Sequence, residues 1–144
     1  MPTRIFRGQH RVTYAECAPG NHVYYARYLD MLEGARGEFF RELGKTFSQW
    51  QAEDTIFPVI EIQLRYRRAA RYDDLLSIEL WLTELGGARL SFGSRILGPD
   101  GATLVEGETK HVCTGRNEKP KRLPPELVAA LEPFFIGGTR STNS

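Results

Sequence analysis

A short polar segment between Glu16 and Tyr25 holds residue types that could promote attack on a carbonyl group. His22 could act as a base near neutral pH, and Asn21 could position a water molecule. Glu16 is a further acid or base. Tyr25 lies where the pattern becomes helical, and free backbone N–H groups at a helix start can stabilise an oxyanion. These types fit a reaction in which water attacks a carbonyl carbon.

Each polar candidate also has a structural interpretation. A single histidine in a turn is more often a hydrogen-bonding structural residue, and Glu33, two turns into the predicted helix, fits a solvated carboxylate. Arg36 falls within the apolar stripe of that helix, where a buried guanidinium needs a partner. We therefore expect a structural ion pair between Arg36 and either Glu16 or Asp73. As catalytic candidates we rank His22, then Asn21, Glu16 and Glu33.

One long helix must position this segment. Residues 3–14 read as a strand, residues 15–22 as a loop with Pro19, Gly20 and Asn21, and the period becomes helical from Val23 to about Gly44. Gly44 is placed as a C-terminal stop. The apolar stripe of the predicted helix is formed by Tyr25, Leu29, Leu32, Phe39 and Leu43.

Four strands follow the helix. Apolar and polar residues alternate over residues 58–68 and 75–85, the Gly86-Gly87 turn leads into residues 88–97, and residues 102–114 form the last strand. A short helix is predicted over residues 124–135. An antiparallel sheet wrapped around one amphipathic helix is an α+β fold. We expect one domain over residues 1–136 and a disordered tail over residues 137–144.

The segment from Val12 to Arg36, VTYAECAPGNHVYYARYLDMLEGAR, resembles a known active-site motif. It is similar to that of hotdog-fold acyl-CoA thioesterases, in the subfamily of bacterial 4-hydroxybenzoyl-CoA thioesterases. The matching features are VYY at residues 23–25, YL at 28–29 and AR at 35–36, and RYDD at 71–74 resembles a turn of the same proteins. The resemblance covers about residues 5–114 and implies a hotdog fold.

The resemblance assigns two halves of a catalytic site. A backbone N–H of the aromatic pair polarises the thioester carbonyl in that family, and this position corresponds to Tyr25, with Tyr24 beside it as a substrate contact. The family's catalytic aspartate ends an acidic, polar, acidic triplet, which here is Glu16-Cys17-Ala18. The resemblance thus implies that the polarising half is present and that the carboxylate is replaced by Ala18. Packing in the core or in a dimer interface is the alternative for the two tyrosines.

We expect a hydrolase that cleaves an aromatic, medium-chain or long-chain acyl-CoA or acyl-carrier thioester. Two alternatives remain open. The protein could bind an acyl thioester or another apolar ligand without cleaving it, having lost the acid. It could instead be a hotdog dehydratase acting on a 3-hydroxyacyl thioester, with His22 paired to Glu33.

Basic residues after the last strand could bind the phosphates of CoA. A solvated charged strand end is the alternative. Arg89 could extend the patch across a dimer, and Ser91 lies where related enzymes place a polar contact to substrate. We expect a homo-oligomer, dimer or tetramer, with active sites between subunits and no cofactor beyond the CoA of the substrate. The predicted phosphate ligands are Arg116, Lys119, Lys121 and Arg122.

Composition excludes other classes. Nineteen basic and 18 acidic residues give a net charge of +1, which argues against nucleic-acid binding. No apolar run would cross a membrane, and no secretory signal is present. Cys17 and Cys113 lie far apart, so a disulfide framework is not expected. His111 and Cys113 share a strand face without a third ligand, so we expect no metal site. These features favour the cytoplasm.

Overall fold

The computed structural model describes residues 4–136. Its single large sheet has five antiparallel strands in the order β1-β5-β6-β7-β4. The predicted disordered tail, residues 137–144, lies outside the described residues, as do residues 1–3. The strands are β1 (Phe6–Arg11), β4 (Val59–Tyr66), β5 (Leu75–Gly86), β6 (Arg89–Leu97) and β7 (Thr103–Val112), and a small hairpin is formed by β2 (Cys17–Ala18) and β3 (His22–Val23).

The long helix α1 (Arg27–Glu42) packs on one face of this sheet. Its buried face meets aromatic residues from both ends of the chain. The Phe39 ring stacks on Phe6 at 4.8 Å between centroids and meets the Phe134 ring edge-on at 4.7 Å. Leu32 and Phe39 are fully buried. The expected α+β class, with an antiparallel sheet wrapped around one long helix, is confirmed.

The helix begins later than predicted. Val23 belongs to β3, and its N–H donates to the Ala70 carbonyl at 2.9 Å, a long-range bond that holds this residue in an extended conformation. α1 starts only at Arg27, so Tyr25 precedes the helix instead of contributing to its apolar stripe. At the other end Gly44 has a φ of 106°, which fits its predicted role as the stop.

A second helix, α2 (Phe47–Ala52), was not predicted. It begins at a capping box, in which the Gln49 N–H donates to Thr46 Oγ1 at 3.2 Å and the Thr46 N–H donates to Gln49 Oε1 at 2.7 Å. The Thr46-x-x-Gln49 spacing is a recognisable start signal in the sequence. Buried Trp50 anchors α2 to the core. A short third helix, α3 (Pro125–Leu131), followed by a 3-10 turn at Glu132–Phe134, occupies the predicted range.

The predicted ion pair of Arg36 is wrong. Arg36 is buried, yet within residues 4–136 no carboxylate lies within ion-pairing distance of its guanidinium. The carboxylate of Glu16 instead meets His10, and that of Asp73 meets Arg11. No helix in the part of the chain that the structure describes is long and apolar enough to cross a membrane.

Candidate active site

The polar segment forms a small hairpin that precedes α1. β2 and β3 pair with Cys17 opposite Val23 and Ala18 opposite His22. Gly20 and Asn21 make the turn with φ values of 95° and 64°, which glycine and asparagine tolerate best. Val23 is buried and Cys17 packs against the core. Because successive strand residues point to opposite faces, Ala18 and His22 share the face that points away from the core.

His22 lies directly across from Ala18. Directly opposite residues of an antiparallel pair have Cβ atoms about 4.5–5.5 Å apart, so the imidazole of His22 is a neighbour of the Ala18 methyl group. His22 is exposed, and among the described residues its ring has no hydrogen-bond partner. The ring is therefore available to a ligand at the position where the resemblance places a carboxylate.

Asn21 is partly engaged in holding the hairpin. Its side-chain Oδ1 accepts a hydrogen bond from the Tyr72 N–H at 3.2 Å, and a guanidinium N–H of Arg71 donates to the Gly20 carbonyl at 3.5 Å. These bonds fix the hairpin against the turn at Arg71 to Asp74. Asn21 keeps its amide N–H groups for a water molecule or a ligand.

Glu16 has a structural role instead of facing the same site. Both of its carboxylate oxygens lie 2.9 Å from His10 Nε2, and one accepts from the Thr13 N–H at 2.7 Å. Burial raises the pKa of Glu16, but the hydrogen bonds from Thr13 and His10 outweigh this and leave the pKa below its ordinary value. His10 was not predicted to contact Glu16, because no sequence motif links a residue of β1 to the turn that follows the strand.

Backbone donors remain open where α1 begins. The Tyr24 N–H donates to the Glu16 carbonyl at 2.9 Å, whereas the N–H groups of Tyr25 and Ala26 have no acceptor within residues 4–136. Ala26 is the N-cap and supplies no side-chain acceptor. Open N–H groups at a helix N-terminus favour negative charge. The predicted polarising position therefore carries two adjacent donors.

Tyrosines surround these donors. Tyr24 and Tyr25 are exposed, with ring centroids 4.6 Å apart, so core packing within the protomer is excluded for both. The Tyr66 hydroxyl donates to the Tyr25 carbonyl at 3.1 Å and so ties the end of β4 to the start of α1. The Tyr28 hydroxyl accepts from the Ala70 N–H at 2.9 Å. The peptide that carries the Ala26 N–H is thus held from its carbonyl side.

Glu33 does not reach this position within one protomer. It is exposed on α1, six residues beyond Arg27, which corresponds to about 9 Å along the helix axis. The His22 and Glu33 pair expected for a dehydratase is therefore not formed within the chain. Glu33 instead lies beside Arg36 at the rim of a cavity between α1, α2 and the sheet.

The predicted substrate contacts are dispersed. Ser91 lies on the sheet face turned away from α1, because its neighbour Phe92 points toward the helix, and its hydroxyl donates to Glu84 Oε1 at 3.1 Å. Arg89 is exposed at the start of β6. Neither side chain lies at the start of α1 in the same protomer.

The basic cluster lies near the end of α2. Arg116 donates through its N–H and its Nε to Asp54 Oδ1 at 2.8 and 3.3 Å, and these bonds hold the pKa of Asp54 below its ordinary value. The Lys121 ammonium donates to the Asp54 carbonyl at 3.0 Å. Lys119 and Arg122 are exposed, and no ion pair engages either side chain among the described residues.

No metal site is formed by the described residues, since no three His, Cys, Asp or Glu side chains gather there. His111 is buried, with its Nδ1 3.0 Å from the Phe57 carbonyl and its Nε2 3.0 Å from Thr109 Oγ1. Burial, the largest cause, lowers the pKa of His111 to about 4. Both ring nitrogens are therefore occupied in a neutral imidazole.

Known proteins share sequence similarity with most of this chain. A family model described as the thioesterase-like superfamily matches residues 12–131. The chain is 35% identical over 133 residues to the acyl-CoA thioester hydrolase YbgC of Escherichia coli O6:H1, covering 92% of this chain and 99% of that protein. It is 34% identical over 135 residues to the long-chain acyl-CoA thioesterase FadM of Escherichia coli K12, covering 92% and 97%.

A solved structure shares the fold. The probable thioesterase from Bartonella henselae superposes with a TM-score of 0.79 at 30% identity, covering 84% of this chain and 100% of that one. Residues 12–131, which the family model matches, include both the hairpin and α1.

Proposed function

The chain belongs to the thioesterase-like superfamily, and from this premise we propose that it hydrolyses acyl-CoA thioesters with the thioester carbonyl bound at the start of α1. The observation that carries the proposal is the pair of open N–H groups at Tyr25 and Ala26. The relatives YbgC and FadM, an acyl-CoA thioester hydrolase and a long-chain acyl-CoA thioesterase, support the substrate class.

In this mechanism the two N–H groups bind the carbonyl oxygen and stabilise the oxyanion that forms when water attacks. Each such donor lowers the barrier by about 3 kcal/mol in other enzymes. The Tyr66 hydroxyl, by donating to the Tyr25 carbonyl, polarises the peptide whose N–H belongs to Ala26. The backbone at the helix start thus polarises the thioester carbonyl without any acidic side chain.

His22 supplies the base. The imidazole accepts a proton from the attacking water while the water oxygen bonds to the carbonyl carbon, and Asn21 helps to hold this water. The tetrahedral intermediate then collapses, the carbon–sulfur bond breaks, and the proton passes from His22 to the departing CoA thiolate. The position of His22 across from Ala18 supports this role, because it faces the same side as the carboxylate that the resemblance places at residue 18.

The acyl group would lie in a groove between α1 and β4. The inward residues of β4 include Val59, Ile62 and Tyr66, which are 41%, 43% and 47% exposed, and they pair with inward residues of β7. Leu29 on α1 is half-buried and would supply an apolar contact from the helix side. A partly exposed apolar row of this length is typical of a binding surface. It leads away from the Tyr25 amide and suits a medium or long acyl chain.

A homodimer that joins two β4 edges would cover this groove. β4 is an edge strand whose residues are exposed on both faces, and Ile60 and Ile62 are apolar. Such an edge is a ready template for pairing. Two edges related by a two-fold axis run antiparallel, so the Tyr66 end of one strand meets the Val59 end of the other.

This arrangement would bring the partner's basic cluster toward the thioester site. Lys121 is bonded to the Asp54 carbonyl and to Thr55, just before β4. At the opposite end of β4, Tyr66 is bonded to Tyr25. Lys119 and Arg122 of the partner subunit are then available for CoA phosphates, whereas Arg116 chiefly stabilises its own loop.

We further propose a cytoplasmic enzyme that needs no cofactor besides the CoA of its substrate. The free thiols of Cys17 and Cys113 fit a reducing compartment. The hydrolysis requires only water, a base and carbonyl polarisation.

A second candidate function is acyl-CoA binding without hydrolysis. It is favoured by one observation, the methyl side chain of Ala18 at the position where the resemblance places the family's aspartate. The two functions differ in whether CoA is released. We expect CoA thiol release from an acyl-CoA panel of increasing chain length, together with calorimetric binding of a non-hydrolysable acyl-CoA analogue. Binding without release from any thioester would favour the second candidate, and absence of both would overturn the proposal.

A further inference from the structure

A cavity of about 360 Å³ lies between the C-terminal half of α1, α2 and the sheet. This volume is that of a small-molecule site. Its apolar walls include Phe40, Phe47, Phe57 and Phe92. Five polar side chains also line it: Glu33, Arg36, Gln51, Thr55 and His111.

Arg36 is the unusual member of this lining. Arg36 is 8% exposed, no hydrogen bond or ion pair engages its side chain within residues 4–136, and its guanidinium nitrogens retain a little exposure. A guanidinium stays protonated in proteins, so a buried one without a partner is unfavourable. Burial lowers the pKa of Arg36, and Glu33 partly offsets this effect. The cavity therefore contains a positive group that an anionic ligand would stabilise.

The other polar groups do not neutralise Arg36. Glu33 is exposed at the rim and forms no ion pair with it. His111 is neutral and bonded through both ring nitrogens. Thr55 is engaged by its hydroxyl with the Glu53 carbonyl and with Lys121. Gln51 is uncharged.

Val59 lines the cavity and also belongs to the inward row of β4, so the cavity adjoins the groove of the proposed thioesterase site. Ala26, Leu29, Glu33, Arg36 and Phe40 are spaced by three, four, three and four residues, so they share one face of α1. Arg36 lies ten residues beyond Ala26, about 15 Å along the helix. A long acyl chain held by its carbonyl at the helix start would bring its far end into the cavity.

We propose that Arg36 binds a carboxylate at the distal end of the acyl group, so that monothioesters of long-chain dicarboxylic acids are preferred substrates. This inference rests on the proposed function for its catalytic consequence. The guanidinium can bind a carboxylate through two parallel hydrogen bonds, and the phenylalanines surround the methylene chain. A hydrogen bond to a charged group contributes about 1.5–3 kcal/mol, which corresponds to a preference of about 10- to 100-fold.

The test compares dodecanedioyl-CoA with dodecanoyl-CoA, and hexadecanedioyl-CoA with hexadecanoyl-CoA. We expect the wild type to favour the dicarboxylic member of each pair by about 10- to 100-fold in kcat/KM. Arg36→Met, which keeps the volume and removes the charge, should abolish this preference. Arg36→Lys should retain part of it even if the methionine variant folds poorly. Arg41→Met, at an exposed arginine of α1 outside this cavity, is the matched control and should keep the preference.

Calorimetry with free dodecanedioate and dodecanoate separates this inference from the hydrolytic activity. Tighter binding of dodecanedioate that depends on Arg36 would support the inference even if no thioester were cleaved. Hydrolysis of both CoA esters without preference, or a preference unchanged in Arg36→Met, would overturn it and leave the thioesterase intact. If Arg36→Met instead dissociates the oligomer and leaves selectivity unchanged, Arg36 pairs with a carboxylate of a second copy of the chain. That result would also overturn the inference.

Discussion

Replacing His22 by glutamine tests the proposed base. The change keeps a polar side chain across from Ala18 but removes proton acceptance. Glu16 is held by His10 and Glu33 lies about 9 Å down the helix, so neither of these carboxylates is placed to substitute. General-base catalysis contributes about 10²- to 10⁴-fold, or about 3–5 kcal/mol. We expect kcat to fall by that factor.

The same change should leave the fold intact. His22 is exposed and makes no side-chain hydrogen bond within residues 4–136, so the free energy of unfolding should change by less than about 0.5 kcal/mol. Release of the CoA thiol from dodecanoyl-CoA gives the rate, and calorimetry with a non-hydrolysable analogue gives the affinity. A large fall in kcat with unchanged affinity would locate the loss in the chemical step.

A second histidine variant separates the loss of a base at residue 22 from the loss of any histidine. His10→Gln is the matched histidine control and should retain most of its activity at neutral pH. The reasoning is refuted if His22→Gln retains wild-type kcat, or if both variants lose activity equally.

Four further results are expected. Ala18→Asp should raise kcat at least about 10-fold, because a carboxylate beside the imidazole adds a base or orients the existing one; no gain in a folded variant that binds acyl-CoA would count against an intact polarising half. Tyr66→Phe should lower kcat/KM by about 2- to 10-fold, since its hydrogen bond of about 0.5–1.5 kcal/mol supports the peptide at the helix start; an unchanged kcat/KM would remove Tyr66 from the site. Ile62→Lys should convert the proposed β4-edge dimer to a monomer in sedimentation, whereas outward-facing Gln63→Lys tests whether charge on the edge alone suffices; a dimer that persists in Ile62→Lys would exclude the β4 edge. Burial lowers the pKa of His111 from 6.5 in the unfolded chain to about 4 in the folded protein, so the neutral imidazole contributes fully to the free energy of unfolding only above about pH 6.5. About 2 kcal/mol of this stability should be lost as the pH falls to about 5, measured by denaturant titration. An equal loss in His111→Gln would assign the effect to another group.

The positions that local sequence determines were predictable. Alternation identified two of the four strands after the helix, turn residues helped to place the other two, and Gly44 ended α1 in the left-handed conformation that glycine favours. The VYY motif pointed to the N–H of Tyr25, and the structure leaves the N–H groups of Tyr25 and of the next residue, Ala26, without an acceptor among the described residues. These features depend on residues close to one another in the chain, so period and motif are sufficient to find them.

Features that depend on distant residues were not predictable. The helix start moved to Arg27 because the Val23 N–H donates to Ala70, which lies 47 residues away. Asp73, one of the two expected partners of Arg36, instead meets Arg11, which lies 62 residues away in the chain. Ser91 was predicted as a substrate contact by resemblance to related enzymes, but its position in β6 directs its side chain to the sheet face opposite α1.

The helix α2 was not predicted, although its Thr46-x-x-Gln49 capping box is a local signal that is visible in the sequence.

The position of a bound carbonyl tests the central claim most directly. A crystal structure with a ketone analogue of dodecanoyl-CoA, in which the sulfur is replaced by a methylene group, shows where the carbonyl oxygen lies. We predict this oxygen at about 2.7–3.2 Å from the backbone nitrogen of Tyr25 or Ala26, with His22 on the side from which water attacks. A carbonyl bound elsewhere, with both N–H groups facing solvent, would contradict the account.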